Sequence, residues 1–226
     1  MSGNALKMLA VISMVIDHAA VALIENHILL SGQSQYAVLW QNADKVMRFI
    51  GRMAFPIFCY LIVEGFLHTR DVKKYGTRLL IFSLISEIPF DLAAFNTWFY
   101  PWYQNVYITL LLGLVAIGGI QKYGQEGSWW KQAAVFAGCC LSALLLKCDY
   151  GVFGVFFIVL LYLLYDNPWQ QTIFGSLCLL WEPGAILAFV PIRMYNGTRG
   201  NKRWKWFFYV FYPAHLLVLT LIRAAM

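Results

Sequence analysis

LKMLAVISMVIDHAAVALI occupies residues 6–24. Crossing the hydrocarbon core of a bilayer takes about 20 apolar residues in a helix, and this run has that length. Seven further apolar runs follow at 49–66, 78–95, 105–120, 133–147, 151–165, 171–192 and 206–224. Barrel strands would alternate apolar and polar residues, and these runs do not. The expected fold is therefore all-α: a polytopic integral membrane helical bundle of about eight transmembrane segments. No internal repeat, low-complexity stretch or long linker divides it, so residues 1–226 are read as one transmembrane domain.

Composition agrees. The 226 residues are 61% hydrophobic and only 12% charged, about half the charged share of a soluble domain. Mean hydropathy is +0.63. These figures exclude disorder, collagen, coiled coil and a disulfide scaffold. The five cysteines lack the spacing of a zinc site, and no metal is expected. The net charge of +6 fits Lys and Arg in cytoplasmic loops better than nucleic-acid binding, for which no motif is present. Asp17 and His18 interrupt the first run, so it is not read as a cleavable leader despite Ala20-x-Ala22.

Orientation follows the basic residues. Arg70, Lys73, Lys74 and Arg78 follow the second segment, and Lys122 and Lys131 follow the fourth. The intervening 96–104 stretch is uncharged and aromatic, which suits an outer interface belt. The N-terminus is thus expected in the cytoplasm. Residues 193–205 carry Arg193, Arg199, Lys202, Arg203 and Lys205. Strict alternation would put them outside, against the charge rule. The seventh segment contains Glu182-Pro183-Gly184, which breaks a helix, so a broken or re-entrant segment would return this loop to the cytoplasm.

Ionisable groups inside membrane segments are costly and mark function by default. Asp17 and His18 lie mid-segment, and as chain neighbours they diverge by about 100° around the helix. A mid-membrane imidazole suits proton transfer, although a packed histidine joining two helices is the plainer alternative. Arg52 lies early in the second segment and suits Asp17 or an anionic ligand. Arg52 and Glu64 are about 18 Å apart along a helix and do not pair. Glu64 and His68 share a face, as an ion pair or as intramembrane chemistry. Glu87 and Asp91, four apart beside Pro89, are candidate substrate-binding carboxylates able to relay a proton, or a helix end meeting water. Tyr212-Pro213-Ala214-His215 places a second histidine in the last segment. No His-Glu-x-x-His, Gly-x-Ser-x-Gly, Walker A or Gly-x-Gly-x-x-Gly is present.

Several short motifs occur in order along most of the chain: Leu6-Lys7; Ile16-Asp17-His18; Ile50-Gly51-Arg52-Met53-Ala54-Phe55-Pro56-Ile57-Phe58; and Glu64-Gly65-Phe66. His68-Thr69-Arg70, Tyr75, Arg78-Leu79-Leu80, Ser86-Glu87-Ile88-Pro89-Phe90-Asp91 and Asp149-Tyr150-Gly151 follow. Last come Tyr195-Asn196-Gly197-Thr198-Arg199-Gly200, Phe208-Tyr209 and Tyr212-Pro213-Ala214-His215-Leu216. In these the chain resembles the TraX family, named for the pilin N-acetylase of conjugative plasmids and similar to a wider set of membrane acyltransferases.

The resemblance implies an acetyltransferase of the bacterial inner membrane that takes acetyl from cytoplasmic acetyl-CoA. Its acceptor stays open among a peptide amine, a sugar, a lipid head group and a small molecule. On this reading His18 is the general base, with Asp17 or another carboxylate orienting it, and His215 is the second base candidate. Arg52 or Tyr212 would stabilise the thioester carbonyl, and Glu64 is kept among the catalytic groups. Arg70, Lys74, Arg78, Tyr195, Asn196, Arg199 and Lys205 would hold CoA. Direct transfer and an acetyl-histidine intermediate are both open. A small proton-coupled transporter is the main alternative, since the same buried ionisable groups would serve a relay, but no inverted repeat supports it. A scaffold without chemistry is the third. Oligomeric state is not written in a membrane sequence.

Overall fold

The computed structural model describes residues 1–29, 36–198 and 200–226, without the side chain of Lys202. The described residues form helices and no strand; Gln104 and Cys148 make one isolated bridge. Four stretches are long and apolar enough to cross a membrane: Gly3–Leu29, Ala37–His68, Val106–Gln125 and Lys205–Ala225. The chain is an all-α membrane protein. Its contacts gather into two compact units, residues 1–58, 85–100 and 179–226 in the first and 59–84 and 101–178 in the second.

Unlike a soluble domain, the protein is apolar over much of its surface as well as in its core. Ser13, Glu64, Ser86, Asp91, Asn105, Gln171, His215 and Arg223 are buried, while Leu84, Leu145, Leu163 and Leu221 are more than 60% exposed. Lipid solvates leucine as well as a protein core does, so polar groups turn inward to find partners.

In the first unit α1 (Gly3–Ala19) continues as a π-helix over Ala20–Leu29. Ser2 caps α1 by accepting from the Ala5 N–H, 3.3 Å. The helix α2 (Ala37–Gly51) is amphipathic, with Val38, Leu39 and Val46 exposed and Arg48 and Gly51 turned inward. The second segment was expected to begin at 49. Its polar residues make 37–48 read as a loop, yet the stretch is helical, with Asp44 and Arg48 half-buried and Gln41, Asn42 and Lys45 exposed. Pro56 explains why α2 stops and α3 (Ala54–His68) starts anew. Its ring would clash with the carbonyl of Arg52, four residues back, whereas in the first turn its missing N–H costs nothing.

The helix α11 (Lys205–Ala225) runs parallel to α1. At one end Gly3 N–H donates to the Thr198 carbonyl (2.7 Å), Asn4 Nδ2 to the Asn201 carbonyl (2.9 Å), and the Met1 amino group to the Met194 carbonyl. Lys7 lies 5.5 Å over the Phe208 ring. The basic 193–205 loop is therefore on the N-terminal side of the unit. At the other end the helix α4 (Val72–Phe95) terminates at Asn96 in left-handed geometry, φ 56°. Its last carbonyls are taken by Asn26 (2.8 Å to Ala94, 3.2 Å to Ala93) and Arg223 (3.0 Å to Ala93). The start of α4 is capped by Asp71, whose carboxylate takes the Lys74 N–H at 2.9 Å. That bond holds the Asp71 carboxyl below its usual range.

The seventh segment is broken as expected. The helix α8 (Pro168–Cys178), in the second unit, ends before Glu182-Pro183-Gly184. Two short helices of the first unit follow, α9 (Pro183–Ile186) and α10 (Phe189–Arg193).

The second unit packs α5 (Val106–Gln125) against α6 (Trp129–Leu145) and α7 (Gly151–Leu163). Glycines permit the close approach. A Cβ at Gly113 would strike Ile158, and one at Gly119 would strike Val135. Tyr103 donates to Asp149 (2.9 Å) and the Thr109 hydroxyl donates to the Asp149 carbonyl, pinning the turn into α7. Tyr150 in that turn is left-handed, φ 59°.

Gly113→Ala is expected to cost about 1–3 kcal/mol by overpacking. Gly138→Ala, where a Cβ meets open space, is expected to be neutral or to gain up to about 1 kcal/mol. Thermal unfolding in detergent reads both. Cysteines placed at Ser2 and Thr198 are expected to react with an impermeant thiol reagent from the same side of sealed vesicles.

Candidate functional site

Two groups of side chains meet on the inner faces of α1, α2 and α11. The first is a pair of histidines. His18 Nδ1 lies 2.7 Å from His215 Nε2, with ring centroids 5.0 Å apart and planes within 12°. That separation suits an in-plane hydrogen bond between ring nitrogens. His215 Nδ1 lies 2.9 Å from the Phe211 carbonyl, one turn back across Pro213. The Tyr212 ring meets that of His18 at 5.9 Å between centroids, with planes 67° apart.

This chain of contacts determines tautomers. A carbonyl has no proton to give, so His215 donates from Nδ1. With both rings neutral, His215 Nε2 is then an acceptor and His18 must donate from Nδ1. The free lone pair of His18 falls on Nε2. His18 is about 22 Å along α1 from Gly3, and His215 about 15 Å along α11 from Lys205. Each histidine therefore sits near the middle of its membrane-spanning stretch, Gly3–Leu29 or Lys205–Ala225.

The second group is a row of alternating charges. Asp17 Oδ2 accepts from Arg48 Nη1 at 2.7 Å, and Asp17 Oδ1 is 3.8 Å from Arg52 Nε. Beyond Asp17, Arg48 Nε reaches Glu25 Oε1 at 3.4 Å and Arg52 Nε reaches Glu182 Oε1 at 2.8 Å. Asp17 and Glu182 are only 14% and 16% exposed. Three carboxylates thus bracket two guanidiniums.

Local sequence explains how α1 serves both groups. Asp17 and His18 point about 100° apart, so one turns to α2 and the other to α11. Glu25 is eight residues beyond Asp17, about 80° out of line in an α-helix. The i→i+5 winding of the π-helix takes more residues per turn and brings Glu25 toward the same line. At Gly51 a Cβ would overlap Asp17, so glycine is what lets α2 approach.

The predicted residues distribute as follows. His18, His215 and Tyr212 are brought together, and Asp17 with Arg52. Asp17 does not orient His18; that position belongs to His215, and Asp17 is engaged by the arginines. Glu64 is in the second unit, where it accepts from the Tyr165 hydroxyl at 2.5 Å and lies 3.3 Å from His68 Nδ1. Asp91 accepts from the Tyr100 N–H at 2.7 Å and so anchors the aromatic loop after α4. Glu87 is half-buried on α4.

The residues read as CoA ligands lie toward helix ends. Arg70 is exposed, Lys74 is 3.4 Å from Asp71, and Arg78 stacks 5.8 Å over Tyr75. Asn196 Oδ1 is used by the Thr198 hydroxyl at 2.7 Å, Tyr195 donates its N–H to Ile192 (3.2 Å), and Lys205 lies over Trp206. Arg199 lies outside the described residues. Among the described residues no group of three His, Cys, Asp or Glu side chains is placed to hold a metal.

Sequence reasoning missed Arg48, Glu25 and Glu182. Arg48 and Arg52 are four residues apart, a spacing that puts both on one helix face. That signal was hidden because the second segment was begun at 49.

Residues 2–223 match the TraX protein family. A relative from Dichelobacter nodosus, named probable fimbrial assembly protein FimC of serogroup H1, is 30% identical over 243 aligned residues. The alignment covers 95% of this chain and 92% of that one. No solved structure matches. The chain belongs to the TraX family of membrane proteins.

Asp17→Asn would leave two guanidiniums facing each other with one carboxylate fewer. Breaking a fully buried pair costs about 3–5 kcal/mol, and this partly exposed one is expected to cost a smaller share of it. Asp17→Asn/Arg48→Gln, tested beside both single variants by thermal unfolding, is expected to cost less than their sum.

Proposed function

We propose that this protein is a membrane acyltransferase that moves acetyl from acetyl-CoA to an amine or hydroxyl acceptor, with His18 as the general base. The observation that carries this reading is the His18–His215–Phe211 chain, which leaves the His18 lone pair on Nε2. In the step envisaged, the acceptor heteroatom attacks the thioester carbonyl while His18 Nε2 takes its proton. The bond to sulfur breaks as the carbonyl re-forms, and CoA leaves as a thiolate that can recover the proton from His18. His215 holds the base in its tautomer and shares the imidazolium charge, the part a buried aspartate plays in a hydrolase triad.

The negative charge on the former carbonyl oxygen needs a donor. Arg48 of α2 and Arg52 just beyond its end pair with Asp17, the neighbour of His18, and Tyr212 borders the imidazole. Arg199 and Lys205 with Tyr195 and Asn196 in the first unit, or Arg70, Lys74 and Arg78 in the second, are the proposed holders of CoA, whose phosphates stay in the cytoplasm. The fimbrial-assembly name of the Dichelobacter relative supports an acceptor linked to fimbriae. An inner-membrane location with a cytoplasmic N-terminus fits a cytoplasmic donor.

Purified protein in detergent, given labelled acetyl-CoA and an acceptor-containing cell extract, is expected to release CoA and label the extract. His18→Ala should lower turnover by about 10²–10⁴-fold. His215→Ala should lower it less, since the base remains and only its tautomer is freed. Release by folded His18→Ala protein at the wild-type rate would overturn the assignment. Solute uptake by liposomes without CoA release would favour a proton-coupled transporter.

A further inference from the structure

The break in the seventh segment does more than interrupt a helix. Pro183 starts α9 and cannot continue a helix from the residues before it, so Glu182 stands at a bend rather than on a helix face. Gly184 lies against the end of α2, where a Cβ would collide with the carbonyl of Phe49. Only glycine lets the bend come that close. The result is a carboxylate delivered to Arg52: Glu182 Oε1 is 2.8 Å from Nε, against 3.8 Å from that nitrogen to Asp17 Oδ1. The shorter contact is the stronger constraint on the guanidinium plane.

Arg48 shows the same design from the other side. Its Nε is met by Glu25, which the π-helix carries into line. Each arginine thus has an outer glutamate on Nε, and Asp17 lies between them. Glu182 is the less exposed of the two outer carboxylates, 16% against 39%, and makes the shorter contact.

We propose that Glu182 is a positioning residue for Arg52: it fixes the guanidinium in the orientation in which it meets the developing oxyanion of the thioester. This rests on the acyltransferase reading. A guanidinium held before the reaction needs no reorganisation when charge appears, and that is where such a donor gains its effect. Loss of the hold would therefore act on turnover more than on donor binding.

The test uses the full-length protein with Glu182→Gln, which keeps shape and removes charge, and Glu182→Asp, which restores charge on a shorter arm. Two readouts are taken. Modification of Arg52 by phenylglyoxal, mapped by peptide mass spectrometry, is expected to rise several-fold in Glu182→Gln while that of Arg70 stays constant. The kcat for acetyl transfer should fall about 10- to 100-fold with KM for acetyl-CoA within about twofold, and Glu182→Asp should recover part of it. Equal Arg52 reactivity in wild type and Glu182→Gln would overturn the hold. Wild-type kcat in Glu182→Gln would overturn its role in transfer. Raised Arg52 reactivity in a protein whose wild type turns over no acetyl-CoA would sink the acyltransferase reading and this role with it, while the ion pair itself stood.

Discussion

Asp17 sits in the middle of an apolar helix, and a carboxylate there is tolerable only beside a cation. Arg48 and Arg52 supply two, and each arginine also meets a second carboxylate, Glu25 and Glu182. Most of the irregular backbone in the first unit serves this row. The π-helix carries Glu25 into line, Pro56 ends α2 at Arg52, and Pro183 turns Glu182 out of a helix. Gly51 and Gly184 remove the side chains that would hold the partners apart. Three breaks in regular helix and two close approaches thus lie along this row.

The histidine pair is built on the neighbouring residue but answers to a different helix. Consecutive residues on a helix point to separate neighbours, so α1 binds α2 through Asp17 and α11 through His18. The parallel course of α1 and α11 sets the two rings at one depth. Their shared basic end, where the N-terminus is tied to residues 194–201, keeps the helices in register. At the far end Arg223 and Asn26 hold the terminal carbonyls of α4. Bonds at both ends leave little freedom for the pair between them to slip.

Much of this was legible in the residues. The length and hydropathy of the runs sufficed for an all-α membrane protein, because a bilayer admits few other solutions for uncharged segments of that length. The ordered motifs from Leu6 to Leu216 sufficed for the family. His18, His215 and Tyr212 could be singled out as polar groups in apolar surroundings, and the Glu182-Pro183-Gly184 break as a proline in the seventh segment. The helix α2 was not legible in the same way. Its polar residues read as loop when hydropathy alone is followed, although Asp44 and Arg48 among them turn to the half-buried side of a helix.

What the tertiary structure decided was pairing. The sequence by itself determined which side chains are too polar for lipid, since that depends only on chemistry and position along a run. It offered Asp17 for Arg52 and His68 for Glu64, but not Arg48, His215 or Tyr165, whose partners lie 31 to 197 residues away and meet only through the helix packing. Thus Asp17 belongs to Arg48 and Arg52 rather than to His18, and Glu64 and Asp91 are engaged by Tyr165 and by a loop N–H. The tautomer of His18, and with it the nitrogen free to take a proton, was set by a carbonyl on another helix.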